Sequence, residues 1–139
     1  MIVQVENTDD TKFHGSAAKI EVNLKFDKGD KVKVVNAGSC YTTHSSAMNY
    51  FDISSDDLYD RDRDGIEWTE DDGQVYDVIN VCLNANPMCE PLYLIHCDKG
   101  YLMIGENGIE FYNHAYQRRA EYRNETGISN LKSVHVLPR

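Results

Sequence analysis

Apolar residues recur at every second position, in short runs that turn-forming residues cut off. In "KIEVNLKF" (19–26), Ile20, Val22, Leu24 and Phe26 fall on one side, as a half-buried strand requires. "DKGD" (27–30) is a turn, and "KVKVVNAG" (31–38) is a second strand closed by Asn36 and Gly38. Residues 2–5, 74–83, 109–112 and 133–138 read as further strands, and 92–97 with 101–105 as a hairpin. Strands this short, separated by turns, predict a mainly β chain: an all-β barrel with small helical insertions.

Two stretches depart from the alternation. Residues 45–51, "SSAMNYF", predict a short helix opened by a Ser cap, and 54–60 a single further turn. Residues 113–124, "NHAYQRRAEYRN", hold no Gly or Pro and predict a helix capped by Asn113 and followed by Gly127. On it, Tyr112, Tyr116 and Ala120 share a face, while Arg118, Arg119 and Arg123 form a basic side. With 139 residues the chain suits a single domain, 1–139. Residues 1–17 read as a loose N-terminal arm and 39–72 as a long acidic insertion.

Charge is unevenly placed. Net charge is −9, and residues 51–75 alone hold ten acids against Arg61 and Arg63. An acidic balance argues against nucleic acid, whose phosphates repel it. A local acidic patch suits a cation or a partner protein with a basic surface. No apolar run approaches the roughly 18 residues of a membrane span. The first residues lack a basic stretch followed by an apolar one, so a cytoplasmic location is expected. On that basis Cys40, Cys82, Cys89 and Cys97 are expected as thiols, and their spacing lacks a zinc knuckle.

"DRDRDGIEWTED" (60–71) is the sharpest chemical pattern. Asp60, Asp62, Asp64, the Gly65 turn, the carbonyl of Ile66 and Asp71 fall at the ligand positions of a calcium loop. Three carboxylates within five residues repel one another, and a Ca2+ or Mg2+ ion relieves that. Against this, the last ligand is Asp71 instead of Glu, Glu67 stands where an apolar residue normally sits, and no sister loop exists. A solvated acidic loop with Arg61 and Arg63 as counter-charges is the favoured reading, and a metal loop the alternative. Trp68 either packs the loop down, the preferred reading, or anchors a partner. As a docking surface the candidates are Asp62, Glu67, Trp68 and Glu70, with Arg118, Arg119 and Arg123 on the basic helix.

"FDKGDKVKVVNAGSCYTTH" (26–44), "GQVYDVINV" (73–81) and "GYLMIGENGIEFY" (100–112) together resemble small SH3-like barrels of the KOW-like kind. More narrowly, they resemble accessory proteins of tailed phages and prophages. The resemblance covers residues 26–112 and implies a small SH3-like barrel with short helical insertions and a C-terminal helix before the last strand. In it, Gly29 and Gly38 sit in turns. Val32, Val34, Val75, Ile79, Leu92, Leu94, Leu102 and Ile104 fill the barrel, and Tyr41 and Tyr50 pack the insertion onto it. The function it implies is non-enzymatic: binding a host protein and modulating host transcription or defence machinery. Cys40-Tyr41-Thr42-Thr43 replaces the Gly-rich continuation of a KOW motif, so RNA binding is not carried over.

Catalytic patterns are weak. Cys40 and His44 lie close in sequence, without an orienting acid. His96 and Cys97 alternate on a strand, so only one of them points inward. The expectation is a non-enzymatic binding protein, with a cation-dependent module and a weak nucleic-acid binder through residues 113–124 as alternatives.

Overall fold

The computed structural model describes residues 4–6, 24–41, 44–58, 74–84, 89–126, 131 and 133–137. In chain order these form β1 (Gln4–Glu6), β2 (Lys31–Val34), β3 (Cys40–Tyr41), α1 (Ser45–Phe51), β4 (Tyr76–Asn84), β5 (Leu92–Cys97), β6 (Gly100–Gly105), β7 (Ile109–Phe111), α2 (His114–Thr126) and β8 (Ser133–Leu137). The chain is mainly β. Its sheet curls into a small half-barrel, and α2 precedes the last strand, as the sequence pattern predicts.

The curl comes from two bent runs that pair with each other. β2 continues through the 3-10 turn Ala37–Ser39 into β3, and β6 through the 3-10 turn Glu106–Gly108 into β7. β2 pairs antiparallel with β7, and β3 with β6. β2 also pairs with β4, so the ladder β4–β5–β6 returns to β2. At the bend, Val35 and Asn36 both donate their N–H to the Gly108 carbonyl, at 2.8 and 3.2 Å. Gly108 must be glycine for space. A Cβ there would lie 2.6 Å from Ile104 Cγ1 and 2.7 Å from Ser39 Cβ.

A bulge in β4 re-aims its side chains. The register slips between Val78 and Asn80, so Val78 and Val81, three apart, both point into the barrel. The interior is filled by Phe26, Val32, Val34, Tyr76, Tyr93, Ile95, Leu102, Ile104 and Ile109, among others. The opposite face of β5 and β6 is also covered. Ala47 and Phe51 of α1, with Leu58 and Leu137, pack on Leu92, Leu94 and Met103. Covering on both faces explains why "LYLIHC" is apolar almost throughout instead of alternating. Leu92, Leu94 and Ile79, expected inside the barrel, thus belong to this outer cluster. Period-2 alternation puts them opposite Tyr93 and Ile95. Val75 is half-buried.

Several boundaries differ from the sequence reading for physical reasons. α1 starts where expected, but His44 caps it: its Nδ1 accepts the Ala47 N–H at 3.3 Å. Any side-chain acceptor on an extended residue serves this role. Asn113 caps α2 as expected, accepting the Tyr116 N–H. Of the strand expected over 19–26, the described part, 24–26, pairs with no strand; Phe26 is nonetheless fully buried. The strand expected over 2–5 corresponds to β1, at Gln4–Glu6, which pairs in parallel with β8, and β8 pairs in parallel with β4. Tyr50 packs as expected, its ring stacked on His135 at 4.3 Å, whereas Tyr41 stays 40% exposed.

The bend makes a specific demand on stability. Gly108→Ala should cost about 1–3 kcal/mol, because the new methyl overpacks against Ile104 and Ser39. Gly38→Ala, which meets only the exposed Asn36 amide, should change stability by less than about 0.5 kcal/mol. Urea midpoints of the two variants check this.

Candidate functional site

"FDKGDK" (26–31), read from sequence as a plain turn, holds the most unusual chemistry among the described residues. Asp27 is fully buried and Asp30 is 7% exposed. Gly29, at φ 94°, takes the third position of a tight turn that a side chain would strain. The Asp30 N–H donates to the Asp27 carbonyl at 3.1 Å, and the turn is tied to β4 by Gly29 N–H to Val78 O and Val78 N–H to Asp30 O. The two carboxylates also accept from the turn itself. Asp27 Oδ1 takes the Lys28 N–H at 2.7 Å, and Asp30 Oδ2 takes the Asp27 N–H at 2.8 Å.

Their counter-charge comes from α2. Arg123 donates Nη1 to Asp30 Oδ1 at 2.9 Å and Nη2 to Asp30 Oδ2 at 3.0 Å, a fork on a fork. Its Nε lies 3.5 Å from Asp27 Oδ2. Burial works against the guanidinium charge, but the bond to Asp30 and the charges of Asp30 and Asp27 outweigh it and raise the Arg123 pKa. The sequence reading set Arg123 on the outward basic side with Arg118 and Arg119. The structure turns it inward, because 116, 120 and 123 share the helix face that meets the barrel. Ala120 is the one fully buried apolar residue of that face, so the clamp holds much of α2 in place.

A second buried polar link adjoins the first. The Tyr93 hydroxyl donates to Glu106 Oε2 at 2.7 Å and accepts the Phe26 N–H at 3.4 Å, while Glu106 Oε2 also accepts the Lys25 N–H. Burial, then the Glu106 carboxylate, pushes the Tyr93 hydroxyl far above its ordinary pKa. Residues 25 and 26 are thus held to the barrel through backbone amides, without a strand pairing. No sequence pattern announces either link, since their partners lie 93 and 13 residues apart.

The acidic-loop candidates Asp60, Asp62, Asp64, Ile66, Glu67, Trp68, Glu70 and Asp71 lie outside the described residues. Both roots of the loop are described. Leu58, buried, bridges to Tyr101 at the start of β6, and Tyr101 donates its N–H to the Asp57 carbonyl. The chain re-enters at Gln74 and begins β4 at Tyr76. Asp77, His96 and Tyr101 pair across β4, β5 and β6, and Leu58 follows Tyr101. Leu58 and Asp77 are therefore about three strand spacings apart, roughly 14 Å, at one end of the half-barrel. Asp56, Asp57 and Asp98 are exposed at that end. Ser54, through its N–H and hydroxyl, bonds the Asp57 carboxylate and lowers its pKa. Lys31 at the same end is paired with Asp77 at 2.7 Å.

Arg118 and Arg119 are exposed on α2, with the Arg119 guanidinium 4.9 Å above the Tyr116 ring. The thiols are all free. Cys40 and Cys82 are pushed up to about 12 by burial, the opposite of what a nucleophile needs. His44 Nδ1 is taken up in capping α1. Among the described residues, no group of three His, Cys, Asp or Glu side chains is placed to hold a metal ion.

Two outcomes follow from this geometry. Arg123→Met should cost about 3–5 kcal/mol in chemical denaturation, because it removes the guanidinium that faces buried Asp27 and Asp30. For Cys40 and Cys82, the folded pKa lies above the ordinary 9.0, so the fold binds the proton more tightly than the unfolded chain. Their contribution is complete below pH 9.0 and is lost as pH rises toward about 12. Alkylation at neutral pH should label exposed Cys89 first and buried Cys82 only on unfolding, read by mass spectrometry. Compared with protein-family models, with curated proteins and with solved structures, the chain matches none.

Proposed function

We propose that this chain is a non-enzymatic accessory protein, of the phage or prophage kind its motifs resemble, that docks on a basic surface of a host protein and modulates it. One observation carries the reading. The ten acids of residues 51–75 belong to a segment rooted at one end of the half-barrel, where Asp56, Asp57 and Asp98 are exposed. Two cations near that end, Lys31 and Arg123, are engaged by Asp77 and by Asp27 with Asp30, which leaves Lys99, beside Asp98, as an exposed cation there. Negative potential is thereby concentrated on one end, which steers a basic partner toward it. Host transcription or defence machinery is the class of target, and the host cytoplasm the place.

The test is capture from host lysate by the tagged chain, in parallel with Ca2+ and with chelator, read by mass spectrometry. A partner bound in both conditions, released by salt and weakened about tenfold or more by Asp62→Lys, supports the reading. Trp68→Ala should weaken it as well if that ring is an anchor. Binding that ignores salt and Asp62→Lys overturns it. Binding only with Ca2+ replaces it with a metal loop built from Asp60, Asp62, Asp64 and Asp71.

A further inference from the structure

On the side of the molecule formed by β2, β7 and the start of α2, an open groove of about 530 Å3 is lined by Lys25, Lys33, Glu110, Phe111, Tyr112 and, from the start of α2, Asn113, His114 and Gln117. Its volume lies within the roughly 300–1,000 Å3 of small-molecule sites. It gathers cations in a chain whose net charge is −9. Lys25 comes from the segment before the first tight turn and Lys33 from β2, so two separate elements supply the ammonium groups. Lys31 is paired with Asp77 and Arg123 with Asp30. Lys33 lies directly opposite Glu110 in the β2–β7 register, yet among the described residues neither Lys33 nor Lys25 forms an ion pair.

Three further features define what would fit between them. α2 runs for thirteen residues, and its N-terminal turn, at His114, points its backbone dipole at the same groove. Phe111 and the 42% exposed Tyr112 supply aromatic surface beside the cations. The groove continues past Lys25, Phe111 and Gln117 into a second hollow that ends on Glu106 and Glu121. One end therefore attracts an anion and the other accepts hydrogen bonds from hydroxyl or amino donors. Two ammonium groups and a helix N-terminus suit a dianionic phosphate better than a single negative charge, and the aromatic wall suits a flat ring.

We infer that the groove between Lys25, Lys33 and the first turn of α2 binds a small organic phosphate carrying a planar ring, of nucleotide type. This site is separate from the acidic end and stands whether or not that end docks a partner. The test is an NMR titration of the full chain with adenosine 5′-monophosphate, adenosine and inorganic phosphate as three separate probes. The nucleotide should shift amides of Lys25, Lys33 and residues 111–117 in a saturable way. Adenosine and phosphate alone should each bind about tenfold more weakly or worse. Lys25→Ala with Lys33→Ala should weaken the nucleotide by a similar factor, whereas Arg118→Ala with Arg119→Ala, on the outer face of α2, should not. The inference is overturned by the absence of saturable shifts at these residues, by undiminished binding in the double lysine variant, or by inorganic phosphate binding as tightly as the nucleotide.

Discussion

The buried pairing of Asp27 and Asp30 with Arg123 is the interaction that the remaining architecture is arranged around. Two carboxylates without exposure to water are tolerable only when donors surround them. The turn supplies backbone N–H groups, and α2 supplies the charge. In return α2, whose inward face offers little apolar surface, acquires a fixed place across the barrel mouth. That place forms one wall of the groove beside Lys25 and Lys33. It also removes Arg123 from the outward basic side, leaving Arg118 and Arg119 there.

The strands were legible because local pattern decides them. Alternation marked β2, the hairpin of β5 and β6 was flagged by Asp98-Lys99-Gly100, and Ser133–Leu137 matched its expected span. α1 was placed to the residue, although the sequence could not say that His44 would supply its cap. What escaped is long-range. Nothing local tells that β8 inserts in parallel beside β4, nor that α1 covers Leu92 and Leu94 from outside. The same holds for the site. "DKGD" was recognised as a turn because Gly29 permits one, but a turn of this composition is ordinarily solvated. Its burial is decided by Arg123, far along the chain. The acidic pattern over 60–71 lies outside the described residues, which stop at Leu58 and resume at Gln74.

The molecule is thereby divided electrostatically. Asp56, Asp57 and Asp98 are exposed at the end where Leu58 meets Tyr101, and Lys25 and Lys33 lie beside the first turn of α2. A uniform acidic surface would simply keep the chain soluble. A segregated one orients it in the field of any charged partner.

The distance along the chain between the clamp's halves has a consequence for how the protein is made. Asp30 and Arg123 are separated by 93 residues. A nascent chain that has already exposed β2, β4, β5 and β6 still lacks the cation that makes burial of the first turn tolerable. Until α2 leaves the ribosome, Asp27 and Asp30 favour staying in water, and the mouth of the barrel stays open. Burial of the turn is thus a non-local event that waits for α2.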